Sequence, residues 1–62
     1  MKQNKIPKSV TEYTRVYILY SVHDKEKDAK EVIKNLENRS YRTILRHYNN
    51  KIVVYKSLIP DK

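Results

Sequence analysis

Residues 14–22, TRVYILYSV, form a run of β-branched and aromatic side chains with no glycine, proline or asparagine. Such a run predicts a strand. Its alternate positions are apolar on both sides, with Val16, Ile18, Tyr20 and Val22 on one and Tyr17 and Leu19 on the other. A strand covered on one face alternates apolar with polar, so this one is expected to be central in its sheet or covered twice.

The period then changes. Between residues 25 and 38 the apolar positions are Ala29, Val32, Ile33 and Leu36, spaced i, i+3, i+4, i+7, and the rest are charged or amide. That stripe predicts a helix lying on a sheet by one narrow face. Asp24 stands where a carboxylate can cap the first turn. Asn38 is the expected left-handed residue at the other end, since the chain has no glycine. Residues 41–48 (YRTILRHY) and 51–58 (KIVVYKSL) follow as two strands. They are joined by Asn49-Asn50, a pair suited to a type I′ turn with two positive φ angles. Pro60 ends the last strand.

The fold class expected is α+β: a two-layer β-α-β-β sandwich with one helix on a three-stranded sheet. Strand order 1-3-2 is favoured and 1-2-3 stays open. Residues 1–12, polar, lysine-rich and broken by Pro7, are read as a flexible basic arm, 13–59 as the single domain and 60–62 as a tail.

Hairpin register turns this pattern into a surface. With Asn49-Asn50 as the loop, Tyr48 faces Lys51, Arg46 faces Val53, Ile44 faces Tyr55 and Arg42 faces Ser57, all on one side of the sheet. The opposite side carries Tyr41, Leu45, Ile52, Val54 and Leu58 and is assigned to the helix, with Val16, Ile18 and Tyr20. The open side then holds Arg15, Tyr17 and Leu19 with Arg42, Ile44, Arg46, Tyr48, Lys51, Val53 and Tyr55. So large an apolar floor is unusual when left bare.

Composition narrows what can cover it. The chain has 62 residues and no cysteine, which removes disulfides and thiolate metal sites. A chain this short buries only about 60% of its unfolded surface, and oligomerisation is the remaining compensation. His23 and His47 show no metal-ligand spacing, so neither a metal nor any other cofactor is expected. No apolar run approaches the ~18 residues of a membrane span, and the N-terminus lacks the apolar core of a signal peptide. A cytoplasmic location is expected, without a membrane or small-molecule partner.

The net charge of +7 is segregated. Acids slightly outnumber lysines in the helix. Between residues 38 and 60 there is no acid, against Arg39, Arg42, Arg46, Lys51 and Lys56, and the arm adds Lys2, Lys5 and Lys8. Tyrosine and arginine on one open face suit a protein interface, self-associating or clamped on another protein. They also suit nucleic acid, where rings stack on bases and guanidinium groups hold phosphates. The protein partner is the leading expectation and sequence-tolerant nucleic-acid binding the alternative. No catalytic constellation stands out: there is no glycine loop, no cysteine nucleophile, and no paired carboxylates off the helix. The chain is expected to bind rather than catalyse.

Residues 16–55, with a strand ending at Ser21, a helix carrying Ala29 and Leu36, and Tyr41 opening a hairpin, resemble half of a SPOR domain, a peptidoglycan-binding module. The same order resembles the first β-α-β unit of a TIR domain. The glycines and phenylalanines of SPOR domains are absent and a TIR fold needs over twice this length, so no functional residue is carried over. Glycine-free, lysine- and isoleucine-rich chains of this size are common among phage and mobile-element products, an association with origin rather than mechanism.

Overall fold

The structure, a computed structural model, describes residues 6–60. The chain runs β1 (Ser9–Glu12), β2 (Arg15–His23), α1 (Glu26–Asn38), β3 (Thr43–Tyr48) and β4 (Lys51–Ser57). One sheet contains all four strands in the order β1-β2-β4-β3, and every neighbouring pair is antiparallel. The last strand fills the gap between the two flanking the helix, as expected. The fourth strand was not expected.

That extra strand corrects the reading of the described part of the 1–12 arm, residues 6–12, as flexible. Ser9, Val10, Thr11 and Glu12 pair with Ile18, Tyr17, Val16 and Arg15, and the carbonyl of Lys8 accepts from the Leu19 amide at 2.8 Å. The lysines expected in the arm at positions 2 and 5 lie outside the described residues. The hairpin escapes a sequence reading because its loop is Tyr13-Thr14, with φ of 51° and 61°. Two positive φ angles make the loop a type I′ turn in form, yet an aromatic and a β-branched residue are poorly suited to that region. Such positions cost of order 1–3 kcal/mol each. The second hairpin has the same form at Asn49 and Asn50, φ 51° and 70°, from residues that tolerate it.

The register of β2 against β4 breaks between Leu19, opposite Tyr55, and Ser21, opposite Val54. Tyr20 is therefore the extra residue of a β-bulge, and a bulge reverses which side later residues face. Ser21 and His23 turn to the helix side, while Val22 joins Val53 on the other. This corrects the single apolar face drawn for Val16, Ile18, Tyr20 and Val22: Val16, Tyr20 and Val22 are all exposed.

The helix stripe behaves as expected. Ala29 and Leu36 are buried with Ile52 and Val54, and Val32, Ile33, Tyr41 and Leu45 pack around them. The helix ends at Asn38 as expected, but the capping at both ends differs. Lys25 occupies the N-cap without a side-chain bond, because the Asp24 carboxylate is taken by the Lys51 ammonium. At the far end Ser40, not Asn38, takes the left-handed position, φ 69°. Its amide donates to the Glu37 carbonyl at 2.9 Å and the Tyr41 amide to the Leu36 carbonyl at 3.0 Å. Those two bonds are the Schellman pattern, and Tyr41 packing near Leu36 is its hydrophobic partner contact.

A second cluster lies on the opposite side of the sheet, with Tyr17, Val53 and Tyr55 buried under Ile6, Val10, Leu19, Ile44 and Tyr48. Strand β4 is thus covered on both faces, which explains its uninterrupted Ile52-Val53-Val54-Tyr55 run. Among the described residues no helix is long and apolar enough to cross a membrane.

Candidate protein-binding surface

The face expected to be open is largely closed by the chain's own residues 6–12. Val10 alternates onto it beside Tyr17, and Ile6 packs with it over Tyr55. The Tyr55 hydroxyl donates to the Pro7 carbonyl at 2.7 Å. Burial, with hydrogen bonding and charge from the Tyr48 phenol, pushes the Tyr55 phenol up to about 12 against a smaller opposing pull from Arg46. Arg46 on β3 donates to the Glu12 carboxylate on β1. These strands are the two edges of the sheet, so the sheet curls until its edges meet over this face.

The ten residues assigned to the face therefore separate. Tyr17, Val53 and Tyr55 are core, and Leu19, Ile44, Arg46 and Tyr48 are half-buried around them. Arg15, Arg42 and Lys51 are exposed, as is Lys8 of the former arm. Lys51 is held by Asp24, whose carboxyl lies below the usual range through that hydrogen bond and the ammonium's charge. The Arg42 backbone is tied to Ser57 in both directions: its carbonyl accepts the Ser57 amide at 2.9 Å and its amide donates to Ser57 Oγ at 3.2 Å. Of the tyrosines expected to stack on bases, Tyr17 and Tyr55 are core and Tyr48 is half-buried, and Arg46 and Lys51 hold carboxylates.

His47 stands opposite Ile52 on the helix side of the sheet and is exposed. His23 ends β2 half-buried with Nε2 2.8 Å from Ser21 Oγ. Spacing of two along a strand puts both side chains on one face, which accounts for the contact structurally.

What the sequence reading missed lies at one end of the sheet. Tyr13 is 95% exposed, Ile59 70%, Leu58 55% and Val16 40%. A groove of about 380 Å³ is lined by Thr14, Arg15, Val16, Ser57, Leu58 and Ile59, so it takes in the last three of these but not Tyr13. No helix residue lines this groove. Below it Ser57 Oγ, itself buried, donates to the Ile59 carbonyl at 3.0 Å and fixes the turn of the chain after β4. The available signal was Leu58-Ile59 just before Pro60; Leu58, assigned above to the helix side, instead lies beyond the end of β4 and is exposed. A smaller groove of about 270 Å³, lined by Tyr20, Asn35, Leu36, Asn38 and Arg39, opens beside the helix C-terminus and is more polar.

Among the described residues no three histidines, cysteines or carboxylates cluster as metal ligands would. Comparison with known proteins yields no match: no family model, no curated protein and no solved structure matches this chain.

Proposed function

We propose that this chain is a small, non-enzymatic protein-binding module, and that its binding surface is the apolar end formed by Tyr13, Val16, Leu58 and Ile59. One observation supports the reading above others: Val16, Leu58 and Ile59 line a single groove and stay exposed, and Tyr13, next in sequence to the groove residue Thr14, is exposed too. Isolated exposed apolar residues are ordinary, whereas a contiguous group marks an interaction site. A tyrosine at its tip suits an interface hot spot, with a wide ring and a hydroxyl for the rim. Arg15 lines the groove and supplies a cation at its margin.

Nucleic-acid binding is the second reading, favoured by the net charge of +7 and by exposed Lys8, Arg42 and Lys51. It rests chiefly on phosphate attraction, because two of the three tyrosines it would use for stacking, Tyr17 and Tyr55, are core. Charge-driven binding of that kind falls steeply with salt.

Amide chemical shifts recorded over a dilution series, and then with a single-stranded oligonucleotide at two salt concentrations, separate the readings. The protein-binding reading expects concentration-dependent shifts at Tyr13, Val16, Leu58 and Ile59, insensitive to salt. Shifts confined to Arg42, Lys51 and Lys8, induced by oligonucleotide at low salt and falling away at the higher salt, would favour the second reading.

A further inference from the structure

Resting on the protein-binding reading, the partner of the apolar end can be named. We propose that two copies of this chain exchange residues 6–12, each first strand completing the sheet of the other, with the apolar ends meeting where the chains cross.

Three features converge on the Tyr13-Thr14 turn. The first is local conflict. Tyrosine and threonine are strand formers, yet φ of 51° and 61° places both in the left-handed region. A short hinge under strain invites exchange, since opening it releases the strain while every other contact can re-form in the partner. The Asn49-Asn50 turn is an internal control, with the same geometry and compatible residues.

The second feature is that the exchanged segment is separable. Residues 6–12 are contiguous at one edge of the sheet and attach through few, well-defined contacts. These are the β1–β2 ladder, the Lys8 carbonyl on the Leu19 amide, the Pro7 carbonyl on Tyr55, the Ile6 and Val10 packing, and Glu12 on Arg46. All of them survive transfer to a second copy, because none depends on which chain supplies the segment. The third feature is position. Tyr13 and Val16 adjoin the hinge, and the groove that contains Thr14 and Arg15 also contains Leu58 and Ile59. A second copy joined through the opened hinge is held against this end, where it covers apolar surface the closed chain leaves in water.

The Glu12–Arg46 ion pair supplies the test. Glu12→Arg alone sets two cations together, and Arg46→Glu alone sets two carboxylates together, in the closed chain and in any exchanged self-dimer. Mixed in equal amounts, the two variants satisfy both pairs only in an exchanged heterodimer. The substituted position 12 of one copy then meets the substituted position 46 of the other, and native Glu12 meets native Arg46. Sedimentation of the mixture should show a 1:1 dimer about tenfold tighter than either variant alone, and the double variant should return to parental behaviour. In parallel, Thr14→Gly should lower the dimer fraction of the parent chain several-fold while Asn50→Gly leaves it unchanged. This arm is independent of whether the charge variants fold.

A mixture no tighter than its components, with a parent dimer indifferent to Thr14→Gly, overturns exchange and leaves association through the apolar end standing. A parent chain that stays monomeric at high micromolar concentration, alone and after Leu58→Ser, overturns both.

Discussion

Tyr55 shows how one side chain decides which face of this molecule is available. Its ring closes the core on the side opposite the helix, and its hydroxyl fastens residues 6–8 over that core. Tyr55→Phe keeps the ring and deletes the bond, so it should cost about 1 kcal/mol and speed hydrogen exchange at the Leu19 amide, which donates to Lys8 nearby. The same phenol carries a pH dependence. Its pKa is raised from 10 unfolded to about 12 folded, so the neutral form is the one the fold stabilises. That stabilisation is fully present below pH 10 and is lost as pH rises towards 12. An alkaline unfolding titration followed by circular dichroism should be shallower for Tyr55→Phe between those values. Asp24 works in the opposite sense and weakly: its pKa is lowered by Lys51, so its contribution is present above the ordinary carboxylate range and fades as pH falls through the folded value. Thr14 is the other decisive residue. Thr14→Gly removes a β-branched side chain from φ 61° and should stabilise the closed chain by about 1 kcal/mol, or roughly 4–8 °C in Tm for a domain this small.

At the scale of elements, the helix and the β3–β4 hairpin were legible in the sequence because physics there is local. The i, i+3, i+4, i+7 stripe has one sensible burial, and Asn49-Asn50 names its own turn. Leu36, beneath the middle of the stripe's last turn, should cost about 2–4 kcal/mol when changed to alanine, read by chemical denaturation. The helix ends at Asn38 as expected, but the left-handed residue was placed two positions early, because asparagine and serine both stop helices and only the bonds of Ser40 and Tyr41 decide between them. Ser40→Gly should add about 0.5–1 kcal/mol by relieving φ 69°. The first strand was hidden for a stronger reason. Its turn residues contradict their conformation, so propensity pointed away from a hairpin that tertiary contacts of Ile6, Val10 and Glu12 impose. The bulge at Tyr20 is equally silent in sequence, and it displaced Val22 from the helix side to the other.

Across the whole molecule these corrections move the candidate site. The basic, tyrosine-rich face was a sound deduction from hairpin register, and its register pairs Arg46–Val53 and Ile44–Tyr55 are present. What the sequence could not convey is that the cover it called for comes from the chain itself. Residues 6–12 supply it, and the unsatisfied apolar surface lies instead at Tyr13, Val16, Leu58 and Ile59. Arginines and lysines then serve as edge charges and internal ion-pair partners, a usual means of keeping sheet edges from pairing indiscriminately. Association driven by apolar burial persists in salt, whereas association through cations weakens as ions screen them. Sedimentation equilibrium of the full chain and of Leu58→Ser/Ile59→Ser at low and high salt tests this most directly. The account predicts a parent dimer that persists at high salt and a variant that remains folded and monomeric. A variant that associates as the parent does, or a parent dimer that dissolves in salt, would contradict it.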